Sequence, residues 1–343
     1  MRKPVEPGRE QDPPQRRSPV NRFWKAVLGL FAAPRVNMRE DYEKVRRLQR
    51  QLAAPFIAPA RVIAPARAVD YEVPSENGTH TIPVRVFHPK EQLRDEVLVF
   101  FHGGGWVIGD VDSYSPTCIR MADLTGCVVV AVDYQLAPEY PFPAGLQDCY
   151  QVARQLLEDP RPAGIADPTK IVLIGDSAGG NLAAVTSLLL REHGHRQPTR
   201  QILLYPVTQW DHNPETSPFD SVREHGEGYR LTNTEVQDYF ELYTPDQDRR
   251  RDWKVAPLMA SDVSNQPKTL VITAELDLLR DEGEAYGRAL EDAGNTVRIH
   301  RVDGALHGFI ALPRISRAVR DAYDAIIAFL DEERDEAAPE ARA

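Results

Sequence analysis

The sequence has little cysteine and no excess of basic residues, and both shortages narrow what the protein can be. Its 343 residues include three cysteines, Cys118, Cys127 and Cys149, and none of them forms a CxxC pair. That spacing favours neither a disulfide framework nor a thiolate metal site, so we expect buried free thiols in a reducing compartment, the cytoplasm. The formal net charge of -10 provides no basic footprint for nucleic acid or for an anionic membrane.

Long hydrophobic runs are also missing. The stretch FWKAVLGLFAA is apolar for only about ten residues, whereas a membrane-spanning helix needs about twenty, so we expect no integral membrane segment. We interpret the stretch as a helix packed on the protein, with a surface membrane anchor as the alternative. The polar residues 1–20 predict a disordered tail rather than a signal peptide, and residues 333–343 predict a flexible C-terminal tail.

What the sequence does contain is an alternation of short β-branched runs with longer helical segments. The runs HTIPVRVFHP, EVLVFF, CVVVAVDY, KIVLIGDS, QILLYPV, TLVITAELD and TVRIHRVDG predict strands. Helices are expected over GLQDCYQVARQLLED and NLAAVTSLLLREHG and over residues 116–124, 281–293 and 316–330. This order indicates an α/β fold with a mostly parallel sheet. Residues 21–60 and 208–256 break the rhythm, and we interpret both as parts of one cap over a core formed by 61–207 and 257–332.

The stretch KIVLIGDSAGGNLAA carries the most informative motif. Gly175, Ser177 and Gly179 satisfy GxSxG between a strand-like run and a helical run, which is the context of a nucleophile elbow. The glycines remove the Cβ atoms that would clash across a tight bend, and the strained backbone turns the serine outward. Taken alone, the motif fits a purely structural turn about as well, so a base and an acid must be found elsewhere.

His307 is the best candidate base among nine histidines, because it lies in DGALHGFI, a glycine-flanked loop beyond the last predicted strand. Ligands and catalytic groups gather at the carboxyl ends of strands in such sheets. Asp277 ends TLVITAELD at the corresponding place, one strand earlier. Asp281 and two neighbouring glutamates compete for the role of the acid, but Asp281 is expected to open the next helix. The order Ser177, Asp277, His307 is that of α/β-hydrolases.

Three consecutive glycines stand where the strand EVLVFF ends, in HGGGWVIGD. Acyl transfer puts negative charge on the former carbonyl oxygen, and fixed backbone amides at that point lower the barrier. Gly103, Gly104 and Gly105 let the chain approach a substrate closely, and the amide of Ala178 completes the expected oxyanion hole. His102 is expected to brace the loop rather than act as the base. A phosphate-binding loop is disfavoured, since neither GK[ST] nor GxGxxG is present.

Five motifs in order, HGGGW, DYQLAPEYPFPA, GDSAGGNLA, LDLLRDEG and HGF, resemble those of the hormone-sensitive-lipase family of α/β-hydrolases, also called family IV esterases. The resemblance spans about residues 70–330 and implies an α/β-hydrolase fold with a helical cap. It implies a carboxylesterase for short- to medium-chain acyl esters, with Ser177, Asp277 and His307 as the triad and Gly104 and Gly105 as the main oxyanion donors. The activity that it implies needs no cofactor and no metal. By the same resemblance, we expect a homodimer that pairs through the last strand.

Three other functions stay open: an amidase or peptidase, a long-chain lipase, and a receptor-like protein that binds a small ligand without catalysis. Retention of His307 disfavours the receptor, because the receptor branch of this family loses that histidine. The charged stretches EHGEGYR and DQDRRRDWK disfavour the broad apolar surface of a lipase. A small-molecule ester therefore remains the expected partner.

The sequence departs from the family pattern at two positions. Gln135 stands where the family usually has arginine, and Leu278 where it usually has proline, so we expect an altered salt bridge and an altered acid loop. Three further motif residues are expected to be structural: Asp176, Glu139 and Tyr134. Five aromatic residues are expected either to line the acyl pocket or to pack the cap: Trp24, Phe31, Phe219, Tyr229 and Tyr239.

Overall fold

Eight strands form a single sheet in the computed structural model, which describes residues 37–63, 67–161 and 167–337. The strands are β1 Ala68–Pro74, β2 Thr81–Phe87, β3 Val97–Phe101, β4 Val128–Val132, β5 Ile171–Asp176, β6 Arg200–Leu204, β7 Lys268–Leu276 and β8 Val297–Leu306. They lie side by side in the order β1-β2-β4-β3-β5-β6-β7-β8. The pairs β1/β2 and β2/β4 are antiparallel and the others are parallel. The prediction of a mostly parallel sheet is therefore confirmed.

Helices cover both faces of this sheet. They are α1 Met38–Ile63, α2 Val111–Thr125, α3 Ala144–Glu158, α4 Ala178–Glu192, α5 Asp220–His225, α6 Asn233–Tyr243, α7 Arg280–Asp292 and α8 Arg317–Ala337. Successive residues of β3 belong to different apolar clusters: Val99 and Phe101 to one with residues of α3 and α4, Leu98 and Phe100 to one with residues of α2 and α8. Burial on both faces explains why the parallel strands are almost uniformly hydrophobic.

Two predictions along the chain need correction. The helix expected over 116–124 begins at Val111, because Asp110 and Ser113 form a reciprocal capping box and Pro116 lies inside the helix rather than at its start. Strand β1 was missed altogether. It pairs with β2 at the edge of the sheet, and only Val73 among its apolar side chains is fully buried. An edge strand with one buried apolar side chain leaves no clear alternation in the sequence.

The predicted later helices agree with the structure at their starts. Helix α7 begins one residue before the expected segment 281–293, and α8 begins one residue after the start of 316–330. Helix α8 continues through residues 333–337, which belong to the segment expected to be a flexible tail. The N-terminal tail, the stretch FWKAVLGLFAA, and the aromatic residues Trp24 and Phe31 lie outside the described residues. Among the described helices, none is both long and apolar enough to cross a membrane.

The topology brings the candidate functional segments to one edge of the sheet. Neighbouring parallel strands β3, β5, β6, β7 and β8 end on the same side, and HGGGWVIGD, Ser177, Asp277 and His307 each follow the end of one of them. Between β6 and β7, the segment 208–256 contains α5 and α6. This arrangement follows from parallel pairing, since every parallel strand presents its carboxyl end at the same edge.

Candidate active site

Ser177 occupies a sharp turn between β5 and α4. Its backbone angles, φ 55° and ψ -118°, lie outside the regions that non-glycine residues normally adopt, so the backbone of this turn is strained. The turn persists because Ser177 N donates to the carbonyl of Leu204 on β6 (2.9 Å). A Cβ at Gly175 would lie 2.1 Å from the carbonyl oxygen of Gly179. The glycines of the motif are therefore required by the packing of this bend.

The structure brings Ser177, His307 and Asp277 into one hydrogen-bonded line. His307 Nε2 lies 2.9 Å from Ser177 Oγ, and His307 Nδ1 lies 2.7 Å from Asp277 Oδ2. The second carboxylate oxygen of Asp277 accepts the amide of Leu279 at 3.1 Å. The Asp277 side chain is fully buried, whereas His307 keeps 12% of its side chain exposed. A carboxylate at Nδ1 holds the ring proton there, which leaves Nε2 free to accept the serine proton.

The competing carboxylates are engaged elsewhere. Asp281 accepts the amide of Ser221 at 2.8 Å and forms an ion pair with Arg280 at 2.7 Å. Glu275 accepts a backbone amide of β8, and Glu282 accepts two backbone amides and a histidine of the segment 208–256. Of these four carboxylates, Asp277 is the one in contact with His307.

The glycine loop after β3 supplies amides to the same region, with one correction to the expected set. Gly103 N donates to Asp176 Oδ1 at 2.7 Å, so this amide is already used and is withdrawn from the candidate oxyanion donors. The amides of Gly104, Gly105 and Ala178 donate to no acceptor within the described ranges. Gly104 has φ 118° and Gly105 has φ 60°, angles that favour glycine. Three candidate donors remain near Ser177.

Asp176 connects the serine turn to the glycine loop. Besides Gly103, its buried carboxylate accepts the hydroxyls of Tyr114 (3.3 Å) and Tyr205 (3.4 Å). Burial raises the pKa of Asp176 to about 6, and the Gly103 amide, the charge of His307 and the two phenols oppose that rise. The residue neighbouring the serine therefore fixes the position of the loop, which fits the structural role expected for it.

His102 packs within the glycine loop, and none of its hydrogen bonds in the described structure involves Ser177. Its ring stacks on Tyr134 with centroids 4.3 Å apart, and its Nδ1 lies 2.8 Å from the carbonyl oxygen of Gly103. Complete burial lowers the pKa of His102, so the ring is neutral near neutral pH. The hydroxyl of Tyr134 donates to the His102 carbonyl at 2.7 Å. These contacts hold the glycine loop in place, which fits the structural role expected for His102.

Sequence reasoning missed Arg46, a residue of α1 that contacts the same loop. Arg46 Nε donates to the carbonyl of Val107 in HGGGWVIGD at 2.7 Å, and Nη2 donates to the carbonyl of Ala137 at 2.8 Å. The guanidinium also pairs with Glu139 at 2.8 Å and holds the pKa of that carboxyl below its usual range. No motif marks Arg46, because its importance depends on a contact with residues far away in sequence.

At the two departures from the family pattern, the hydrogen bonds are made by the main chain and do not depend on which side chain is present. The backbone amide of Gln135 donates to one carboxylate oxygen of Asp148 at 2.9 Å, and the other oxygen of Asp148 lies 2.8 Å from His80 Nε2. Leu278 is fully buried, and its carbonyl accepts the hydroxyl of Ser221 at 2.7 Å. The acid loop, residues 277–279 between β7 and α7, is thus connected to α5 of the segment 208–256.

The segment 208–256 packs directly on the glycine loop. A Cβ at Gly105 would lie 2.2 Å from the ring of Tyr239, and Trp106 stacks on Tyr243 with centroids 4.3 Å apart. Asn181 Nδ2, on the helix that follows Ser177, donates to carbonyls at both ends of the segment: Val207 (2.9 Å) and Val255 (2.8 Å). Of the aromatic residues expected in the cap, Tyr239 is the one whose ring lies against the loop, whereas Phe219 packs against the larger apolar cluster.

Comparisons with known proteins agree with this geometry. A family model described as the α/β hydrolase fold matches residues 98–311. An arylesterase of Saccharolobus solfataricus is 32% identical over 307 residues, covering 89% of this chain and 94% of that protein. An ethyl acetate hydrolase of Pseudomonas putida is 34% identical over 240 residues, covering 69% and 74%. The structure of a hyperthermophilic esterase from Pyrobaculum calidifontis superposes with a TM-score of 0.80 at 35% identity, covering 92% and 98%.

Proposed function

The chain belongs to the hormone-sensitive-lipase-like family of α/β-hydrolases and is a carboxylic ester hydrolase, and on that premise we propose that it hydrolyses short- to medium-chain acyl esters through a serine acyl-enzyme. The observation that carries this proposal is the line of hydrogen bonds from Ser177 Oγ through His307 to Asp277. Beside it, the amides of Gly104 and Gly105 in the loop after β3 have no acceptor among the described residues. That arrangement provides a nucleophile, a base and an oxyanion site in one place.

The first half of the proposed reaction forms the acyl-enzyme. His307 Nε2 removes the proton of Ser177 Oγ as that oxygen attacks the ester carbonyl carbon. The carbonyl oxygen becomes negative and is held by the amides of Gly104, Gly105 and Ala178. Asp277 stabilises the imidazolium that forms. The C–O bond to the alcohol then breaks, and the leaving alkoxide takes the proton from His307.

The second half releases the acid. A water molecule loses a proton to His307 Nε2 and attacks the acyl carbon, and the oxyanion forms again at the same amides. The bond to Ser177 Oγ then breaks and the serine regains its proton. The net change is one ester and one water converted to one carboxylic acid and one alcohol. Every step uses this chain's own groups and water.

We extend the proposal to the organisation of the molecule. The contacts of Tyr239 and Trp106 support a cap formed by 208–256 over a core of 61–207 and 257–332, and the contact of Arg46 supports a contribution from α1. The first part of the expected cap segment 21–60, residues 21–36, lies outside the described residues. A cytoplasmic location is supported by three buried free cysteines. A homodimer paired through β8 is supported by the position of that strand at the sheet edge.

The proposal is tested by replacing Ser177 and by trapping it. We expect Ser177→Ala to lower kcat/KM for p-nitrophenyl butanoate by about a thousandfold or more, since both halves of the reaction need the serine oxygen. Ser261→Ala, which removes an exposed serine, is the matched control and keeps normal turnover. A fluorophosphonate adds its mass to the Ser177 peptide of the active protein. Full esterase activity in Ser177→Ala would reject the assignment.

A substrate series separates the remaining functions. Across p-nitrophenyl esters, we expect the highest kcat/KM between butanoate and octanoate, and a maximum at palmitate would favour a lipase instead. Hydrolysis of a matched p-nitroanilide as fast as the ester would favour an amidase. Saturable ligand binding without fluorophosphonate labelling would favour a receptor.

A further inference from the structure

The stretch EHGEGYR, residues 224–230, passes beside the candidate base. Arg230 Nε would lie 3.6 Å from a methyl group placed on Gly308, and Gly308 directly follows His307 in the chain. At the other end of the stretch, His225 Nε2 lies 3.0 Å from Nη1 of Arg280, which begins α7 directly after the loop that follows Asp277. The stretch therefore runs from the acid loop to the loop that carries His307 and Gly308, which we call the base loop. The guanidinium of Arg230 lies at this base loop.

The charge of the same guanidinium also reaches two tyrosines of the site. Burial raises the pKa of Tyr114 and Tyr239, and the positive charge of Arg230 opposes that rise at both phenols. Tyr114 contacts Asp176 beside the nucleophile, and the ring of Tyr239 covers Gly105 of the glycine loop. Arg230 thus lies within electrostatic reach of the serine turn, the glycine loop and the base loop.

Arg230 is also exposed, and among the described residues no carboxylate pairs with it. Arg223, in α5, pairs with Asp220, and Arg280, at the start of α7, pairs with Glu224 and Asp281. For Arg230, no carboxylate of residues 37–63, 67–161 or 167–337 comes within 4.0 Å. A guanidinium carries a fixed positive charge and a planar set of donors that match a carboxylate. It is therefore available to an anionic group from solution.

From this position we propose that Arg230 binds a carboxylate carried by the substrate, so that the preferred substrates are esters that carry a free carboxylate. The inference rests on the proposed esterase function and adds the substrate class. The carboxylate forms and breaks no covalent bond. It sits on either the acyl part or the alcohol part, and both satisfy the same guanidinium. Because the chain carries a net charge of -10, any preference for an anion must come from a local cation.

The test compares matched charged and neutral esters. On the acyl side, p-nitrophenyl hydrogen glutarate is compared with p-nitrophenyl pentanoate. On the alcohol side, 4-acetoxybenzoate is compared with 4-acetoxybenzamide. The readout is the ratio of kcat/KM, charged over neutral, in each pair. We expect the wild type to favour the charged ester in one pair, and that pair identifies the side on which the carboxylate binds.

Two variants assign the preference to Arg230. We expect Arg230→Gln to lower the ratio in the favoured pair by about tenfold, and Arg230→Lys to lower it less, because a point charge replaces the fork. Arg223→Gln removes the same charge from the same segment and leaves the ratio unchanged. Raising the salt concentration lowers the wild-type ratio and leaves that of Arg230→Gln nearly constant, since an exposed charge pair is screened.

The outcomes separate this inference from the function beneath it. If the wild type hydrolyses both members of a pair and Arg230→Gln does not change either ratio, the inference is wrong and the esterase proposal stands. A wild-type preference for the neutral ester in both pairs also overturns it. If neither charged nor neutral esters are hydrolysed while thermal unfolding shows a folded protein, the proposed function itself fails.

Discussion

At the scale of single residues, backbone strain is concentrated around the candidate active site. In the described part of the chain, the non-glycine residues with positive φ are Trp106, Ser177, Tyr205 and Asn265. Trp106 lies in the glycine loop after β3, and Ser177 follows β5. Tyr205 follows β6, where its hydroxyl donates to Asp176 and its ring packs against that of His307. Such conformations are unfavourable and persist only where the surroundings enforce them. The strain therefore lies where the geometry has to be fixed.

Gly104 provides the sharpest test of the oxyanion assignment. We expect Gly104→Ala to lower kcat by about a hundredfold or more, because an alanine Cβ meets the Ile108 carbonyl oxygen at 2.1 Å and displaces the loop. The measurement is kcat for p-nitrophenyl butanoate, with thermal unfolding to verify the fold. Gly78→Ala is the matched control, since Gly78 also has positive φ but its added methyl meets nothing within 4 Å. Normal turnover in Gly104→Ala would move the oxyanion site elsewhere.

At the scale of elements, the loops of the site are held by helices that come from distant parts of the sequence. Helix α1 contacts the glycine loop through Arg46, helix α4 contacts both ends of 208–256 through Asn181, and helix α5 contacts the acid loop through Ser221. Because helices hold the glycine loop and the acid loop, the positions of the oxyanion donors and of Asp277 depend on these helices as well as on the strands.

Arg46 tests whether α1 positions the glycine loop. We expect Arg46→Ala to lower kcat by about tenfold, or about 1.4 kcal/mol, while KM for a short ester changes little, because the substrate contacts remain and only the oxyanion donors shift. Arg46→Lys restores part of the loss, since lysine keeps the charge without the fork. Arg47→Ala, at the next position of α1, removes a side chain that is 62% exposed and keeps normal kcat. A rise in KM with unchanged kcat would place Arg46 outside this role.

At the scale of the whole molecule, the buried charge of Asp176 links catalytic geometry to stability. Burial raises its pKa from the usual 3.8 to about 6, so the folded state holds the proton more tightly than the unfolded chain. The stabilising contribution is complete below about pH 4 and is lost as pH rises through about 6. At neutral pH the protein therefore keeps an ionised carboxylate beside its nucleophile at the expense of stability.

Asp176→Asn makes that linkage measurable. We expect the free energy of unfolding of the wild type, relative to Asp176→Asn, to fall by about 1 kcal/mol between pH 5 and pH 7.5, because the Asp176 carboxyl loses its proton in this window and the variant has no such proton to lose. Urea unfolding at the two pH values measures it. Asp324→Asn removes an exposed carboxylate and shows the same pH dependence as the wild type. A difference that does not vary with pH would show that Asp176 titrates outside the window.

The sequence by itself determined the α/β order, the strands β2 to β8 and the three residues that the structure joins at Ser177. It could do so because the information is local: a β-branched run, a glycine-flanked serine, and an acid and a histidine just beyond two later strands. The family motifs carried the same information, and the comparisons confirmed the family and the enzyme class.

Only the tertiary structure decided which groups are free to act. It showed that Asp176 takes the Gly103 amide, that Arg46 supports the glycine loop, that β1 closes the edge of the sheet, and that Arg230 lies beside the base loop. Each of these facts depends on a contact between segments far apart in the chain. Neither local propensity nor motif spacing specifies which distant carboxylate, carbonyl or strand a polar group meets, because that choice is made by packing.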